Sequence, residues 1–318
     1  FDPLCPLQFK VIKSKFITLL FQKYLKDKDI RNFKDNLIYY FVFRLLRNFL
    51  VQDIILKIYN FKVFGSINKN KTSYFLLKKC EFGDYHELNI IKKFSEKKKI
   101  LFLDCGCNYG FYSLYVASLN KKNKVVSIEA SKKTLIEFNK NLHLNNLENI
   151  NLYNLAISNN DEDDISFNES EKDWESSLSH NEFNSYETTM IKTIKIDSLI
   201  KNYDLSEFKT IIKLDIEGNE MKAIQGALEL VKKASPLIII EFSKYIFNKN
   251  DNIEYLNFFL INYDYSIYDI NYKKKNLKNI LMELKKLKKK HKTIGNFYLI
   301  KNSSNTLEYF LSYEWFIK

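Results

Sequence analysis

Cysteine is scarce in this chain. Only Cys5, Cys80, Cys105 and Cys107 occur, and no Cys-x-x-Cys pair is present to hold zinc. Four thiols without a framework spacing argue for a reducing, cytoplasmic setting. No apolar run approaches the roughly 18 residues that a membrane-spanning helix needs. The three prolines, Pro3, Pro6 and Pro236, are never adjacent, and the seven glycines contain no Gly-x-Gly-x-x-Gly run. That second absence argues against the pyrophosphate cradle of a dinucleotide enzyme. Arginine occurs three times, whereas Lys, Asn, Ile, Phe and Tyr are abundant. The bias suits an AT-rich coding genome, so lysine richness alone says little about partners.

What is present supports a folded enzyme-sized chain. With 318 residues and 46% hydrophobic residues, one large domain and an appendage can bury a core. The net charge of +12 is unevenly spread. Residues 1–100 hold 21 Lys/Arg against 9 Asp/Glu, residues 101–240 hold 15 against 21, and residues 241–318 hold 14 against 8. The middle is acidic and the ends are basic. A nucleic-acid enzyme would carry its basic surface beside its active site. Basic ends suit anionic membrane surfaces or anionic glycans. The chain opens on Phe1 rather than Met, so an incomplete N-terminus and a removed signal both stay open.

The organising stretch is Ile100–Gly110. Ile100–Leu103 is apolar enough for one buried strand of a parallel sheet, Asp104 ends it, and Gly106 and Gly110 punctuate a tight turn. Phe111–Leu119 follows at helical spacing. The glycines are spaced Gly-x-x-x-Gly behind a carboxylate, and Asp104 would repel phosphate and attract an ammonium group. S-adenosylmethionine carries an ammonium, a sulfonium and no phosphate, so the charges favour it. Glu129 ends a second apolar strand about 20 residues on, where an acid accepts ribose hydroxyls.

From Ile100 strands and helices alternate. Strands are expected at Ile100–Leu103, Val125–Ile128, Ile150–Leu155, Ile211–Leu214, Leu237–Ile240, Tyr265–Tyr268 and Phe297–Ile300. Helices are expected at Phe111–Leu119, Lys132–Asn145, Asn219–Lys232 and Ile253–Asn262. This is an α/β fold, a Rossmann-like, doubly wound and mostly parallel sheet of about seven strands with the last antiparallel. Asp104, Glu129, Ala156, Asp215 and Glu241 end such strands and should line one crevice. Ser158–Ile191, with Asp161–Asp164, Trp174 and His180, reads as a long acidic loop over that crevice, either a lid or a disordered surface loop. Tyr272–Lys292 reads as an amphipathic helix inserted before the last strand.

Before the alternation, residues 1–65 look helical, and residues 1–79 form a basic, aromatic-rich helical extension. Leu37–Leu50, interrupted by Arg44 and Arg47, suits a packed helix, or an interfacial one that gives peripheral membrane contact. Phe61–Phe64 and Ser73–Leu77 suit a small hairpin. Glu87, one turn before Leu88–Phe94, either reaches the cofactor's amino group or is an ordinary first-turn acid. Residues 80–301 form the catalytic domain and 302–318 a tail.

Ile212–Glu220 puts three carboxylates and a lysine at a strand end. Strand alternation points Lys213, Asp215 and Glu217 to one side until Gly218 turns the chain. Burying that many charges is costly unless they pair or react. They read as reactive groups, or as a Lys213–carboxylate pair bracing the crevice.

With these stretches in hand, the chain resembles the FkbM family of class I S-adenosylmethionine-dependent methyltransferases. The likeness runs over roughly 80–301, through Phe102–Ser113, Glu129 with the Asn-rich helix to Asn146, Ala156–Ser158, Thr193–Leu199, Ile212–Glu220, Pro236 and Glu241. Ala130 stands where the family often has Pro. The resemblance implies O-methylation of a sugar, glycolipid or other small metabolite, with Glu87, Asp104, Gly106, Asn108, Gly110, Phe111, Glu129 and Ala156 around S-adenosylmethionine. Asp215 and Glu217 are the candidate bases, with His180 third. No ligand cluster demands a metal. A branched side chain at Gly106 is expected to fill cofactor space. The rivals are an RNA ribose methyltransferase and a non-catalytic member scaffolding glycan assembly. Base-amine and cytosine-C5 methylation lack their Pro-Pro-Tyr and cysteine motifs.

Overall fold

The computed structural model describes residues 8–11, 54–65, 84–170, 186–287 and 293–312. Two compact units emerge, Phe1–Leu88 with Ile136–Glu148, and Asn89–Leu135 with Asn149–Lys318.

The described N-terminal stretches, 8–11 and 54–65, are strands, which corrects the expected helix at those residues. β1 (Gln8–Val11), β2 (Ile54–Ile58) and β3 (Phe61–Gly65) form an antiparallel sheet in that order. Ile, Val and Phe favour a pleated surface, and a two-residue turn with Tyr59 at φ 51° reverses the chain. Phe61–Phe64 lies in a hairpin strand, as expected, paired with β2; Ser73–Leu77 lies outside the described residues, as does Leu37–Leu50. Two helical asparagines serve β3's backbone: Lys62 and Phe64 amides donate to Asn145 Oδ1 and Asn141 Oδ1 at 2.6 and 2.7 Å. The helix α1 (Tyr85–Lys97) follows, and the unit boundary falls within it, at Leu88.

From Ile100 the chain runs β4 (Ile100–Cys105), α2 (Phe111–Leu119), β5 (Lys124–Ile128), α3 (Lys132–Asn145), which from Ile136 on belongs to the first unit, and β6 (Ile150–Tyr153). The short β7 (Ala156–Ile157), β8 (Asp164–Ser170) and β9 (Tyr186–Ile194) come next, then α4 (Ile196–Ile200). β10 (Lys209–Leu214), α5 (Glu220–Gln225), α6 (Leu228–Ala234), β11 (Leu237–Ser243), α7 (Lys244–Phe247) and α8 (Asn250–Asn262) lead to β12 (Tyr265–Tyr268). β13 (Lys274–Lys275), α9 (Leu277–Lys286), β14 (Thr293–Lys301) and α10 (Asn305–Leu311) complete it.

The main sheet has the order β13-β12-β14-β11-β10-β4-β5-β6. Pairings from β11 to β6 are parallel, and β14 inserts antiparallel between β11 and β12. The doubly wound sheet and the antiparallel last strand are as expected; the eighth strand is the two-residue β13. Strands buried on both faces must be apolar throughout, and all six residues of β4 are buried. Leu101, Leu103, Val126, Ile212, Leu214, Ile238, Ile240 and Leu299 share one core with residues from α5 to α9.

Three other expectations need correction. Ser158–Ile191 is not a single loop, because β8 and β9 pair antiparallel and β9 pairs parallel with β7. Their polar, half-exposed residues hid them as strands; Trp174 and His180 lie outside the described residues. The helix expected over Asn219–Lys232 is two, α5 and α6. It breaks at Gly226, where an added Cβ would stand 2.3 Å from the Ser158 carbonyl oxygen. The expected tail contains α10, whose Phe310 is fully buried against Tyr268, Tyr272 and Tyr298.

Asn123 ties this unit together beneath β4. Its Oδ1 accepts the Ile100 amide at 3.0 Å, and its Nδ2 donates to Ser95 Oγ and the Val116 carbonyl at 3.0 and 2.9 Å. It is fully buried. Asn123→Ala strands these partners, so urea unfolding should report a loss of about 2–4 kcal/mol.

Candidate functional site

The strand order reverses between β4 and β10, and the crevice lies outside their carboxyl ends. The crest after β4 is built from left-handed residues. Gly106, Asn108 and Gly110 have φ of 80°, 49° and 81°. Gly106 and Cys107 amides both donate to the Ile128 carbonyl, at 2.9 and 3.1 Å, which pins the crest to β5. A Cβ at Gly106 would stand 1.9 Å from the Asp215 carbonyl oxygen. The glycine is therefore demanded by the backbone after β10, which corrects the expectation that it chiefly leaves room for a ligand.

Glu129 sits behind the crest. Its Oε2 accepts the Asn108 amide at 2.9 Å and its Oε1 accepts the Ser131 amide at 2.8 Å. Each oxygen keeps a further lone pair for an incoming hydroxyl. Burial pushes its carboxyl up to about 7, the two amides pull it down, and Asp104 and Asp215 push it further up. Asn154 Nδ2 donates to the Glu129 and Ala130 carbonyls at 2.9 and 3.0 Å. This clasp stiffens the loop where Ala130 lacks proline's constraint. Asn154 carried no signal in the sequence beyond its place at a strand end.

Asp104 is not open to the crevice. It is buried at the end of β4, where its Oδ2 accepts the Ser113 hydroxyl at 2.6 Å and its Oδ1 has no hydrogen-bond partner. Ser113 Oγ also lies 2.7 Å from Ser127 Oγ. Burial pushes the Asp104 carboxyl up, against Lys213 and Ser113. The register aligns Ser127, Asp104, Lys213 and Ile239 across four strands, so a polar row crosses an otherwise apolar face. Lys213 is buried, donates to Asp215 Oδ2 at 2.8 Å and lies 4.9 Å from the Tyr112 ring centroid.

The bracing reading of Lys213 with Asp215 is thus the observed geometry. Glu217 departs from strand alternation, because β10 ends at Leu214 and Glu217 takes φ 52° in the turn. The buried carboxylate of the motif is Glu220, which accepts the Ile216 and Gly218 amides at 3.1 and 3.0 Å. Burial pushes it up to about 7. Glu241, which lies within β11 rather than at its expected end, is pushed up to about 7 by burial and by Asp215, against Lys213.

Of the other expected residues, Phe111 opens α2 directly after Gly110. Ala156 is buried in β7 with Phe167 and Ile191, and Ala130 packs against them. Glu87 belongs to the other unit, buried in the first turn of α1. His180 lies outside the described residues. Among the described residues, no cluster of three or more His, Cys, Asp or Glu could hold a metal, and no helix is long and apolar enough to cross a membrane.

The profile of the Methyltransferase FkbM domain matches residues 104–267, just over half of the chain. The chain belongs to the FkbM methyltransferase family. No match was found among curated proteins. Similar solved structures include an FkbM methyltransferase from Methylobacillus flagellatus KT, at 18% identity and TM-score 0.39, over 70% of this chain and 52% of that one. The FkbM chain thus spans about half the length of that structure. Others are an rRNA methylase from Streptococcus thermophilus, at 12% identity over 68% of this chain and 93% of that one with TM-score 0.38. An O-methyltransferase from Bacillus cereus in complex with SAH aligns at 14% identity over 68% and 78%, with TM-score 0.37.

The Glu220 carboxyl gives a stability test. A carboxyl raised in the folded state favours folding while protonated, so this contribution is present below the unfolded value of 4.5 and lost as pH rises through about 7. Urea unfolding between pH 4.5 and 8 should therefore show Glu220→Gln removing on the order of 3 kcal/mol of pH-dependent change. Parallel curves for the two proteins would contradict the assignment.

Proposed function

We propose that this FkbM protein moves the methyl group of S-adenosylmethionine to a hydroxyl oxygen of a sugar, glycolipid or other small metabolite. The observation that carries the reading is Glu129, held by two amides behind a crest of three left-handed residues with acceptor capacity to spare. When bound, the cofactor would supply an electrophilic methyl on a sulfonium. The residues present fit it: Glu129 would accept the ribose hydroxyls, the Gly106–Gly110 crest would hold the cofactor's chain, and Asp104 would provide negative charge for the ammonium. Because Asp104 is enclosed, it acts through the crest rather than by direct contact. Lys213 and Asp215 stand at the neighbouring strand end, where they orient the acceptor. A nucleic-acid acceptor is disfavoured by the acidic balance of residues 101–240.

Calorimetry with S-adenosylmethionine tests the cofactor part. Ribose hydroxyls donate to the ionised carboxylate, so affinity should rise from pH 6 to 8 as Glu129 ionises around 7. Glu129→Gln should weaken binding by about 10–100-fold and flatten that dependence. An unchanged affinity would remove the assignment. Transfer of labelled methyl to a panel of sugars and glycolipids, against RNA, tests the acceptor class.

A further inference from the structure

We infer that Glu241 is the base that accepts the proton of the methyl acceptor, with Asp215 held by Lys213 as its anionic neighbour. The inference rests on the methyl-transfer reading above.

The other carboxylates near these strand ends are each engaged elsewhere. Glu220 is buried on two backbone amides. Asp104 is sealed against Ser113. Asp215 Oδ2 accepts from Lys213 Nζ at 2.8 Å, so that oxygen is already engaged in an ion pair. Glu217 sits on a left-handed turn residue outside the strand.

Glu241 differs from all of them in place. The β10–β11 register sets Lys213 beside Ile239, and alternation puts Glu241, two residues on, over the same face, beyond the last β10–β11 pair at Leu214–Ile240. Six of the seven β11 residues are buried, and Glu241 alone is partly open. One residue later the pairing with β14 is irregular, between Phe242 and Ser243, a bulge of the kind that re-aims strand ends beside active sites. The charged groups acting on Glu241 are Asp215, just past the end of β10, Lys213 in β10 and Glu220 in α5, with the Thr293 hydroxyl from β14. Burial and the Asp215 charge raise its basicity to about 7, which suits a base at neutral pH.

The step balances. The acceptor's O–H bond breaks and its proton goes to a Glu241 carboxylate oxygen. The freed electron pair forms the new O–CH3 bond, and the methyl–sulfur pair returns to sulfur, leaving S-adenosylhomocysteine neutral at that atom.

A binding experiment tests this without knowing the acceptor. Sinefungin carries an ammonium-bearing carbon in place of the methylated sulfonium, whereas S-adenosylhomocysteine has a neutral sulfur there. The full chain should bind sinefungin at least about tenfold more tightly than S-adenosylhomocysteine at pH 8. The preference should shrink as pH falls through about 7, where Glu241 becomes neutral. Glu129 acts on both ligands alike, so its titration cancels in the ratio. Glu241→Gln should abolish the preference at every pH while holding S-adenosylhomocysteine affinity within about twofold, which also shows that it is folded. Asp215→Asn should keep the preference and move its midpoint to lower pH. A Glu241→Gln protein that still prefers sinefungin, or a wild type without preference, overturns the inference. Loss of the preference in Asp215→Asn alone would make Asp215 the base. If neither ligand binds the wild type, the cofactor reading fails and this inference with it.

Discussion

A buried lysine in the face of the central sheet is the constraint around which the site is arranged. Lys213 points from β10 into the polar row with Ser127 and Asp104, and it is almost wholly shielded from water. An ammonium left alone there would cost several kcal/mol. Asp215 closes on it directly, Asp104 lies beside it in register, and the Tyr112 ring covers it. Just past these residues the ends of β4 and β10 stay paired, the Asp215 amide donating to the Cys105 carbonyl at 3.1 Å. Their backbones then approach so closely that residue 106 has no room for a Cβ.

Around these two strand ends, negative charge accumulates. Glu129, Glu220 and Glu241 are each pushed up to about 7, burial being the largest cause and the Asp215 charge a further one in each. The same shift serves different ends. At Glu220 the carboxyl is spent on the turn after β10. At Glu129 it is aimed along the crest, and at Glu241 it faces the partly open end of β11. Paired titratable groups whose surroundings set their protonation are the usual raw material of acid–base catalysis.

Much of this was legible in the sequence, for a physical reason. Strands of a parallel sheet are buried on both faces, so β4, β5, β10 and β11 are nearly uninterrupted apolar runs and announce themselves. The crest needed small or left-handed residues at 106, 108 and 110, and two of them are glycine. Where one face of a strand meets water, the signal weakened. The polar ribbon of β8 and β9 reads as a loop and β2 as part of a helix, whereas β3 stands out as a hairpin strand.

By itself, then, the sequence determined the order of strands and helices, the crest after β4 and the acidic residue after β5. These are local properties: apolar runs, chirality at a few backbone positions, and a carboxylate at a strand end. Only the tertiary structure decided which carboxylates face one another. The left-handed turn at Glu217 broke the alternation and buried Glu220 instead. The pairing of β10 with β11 brought Glu241 beside the Lys213–Asp215 pair from the far side of two helices in the chain. No residue spacing encodes that meeting, because it arises from strand pairing between segments that are distant in sequence.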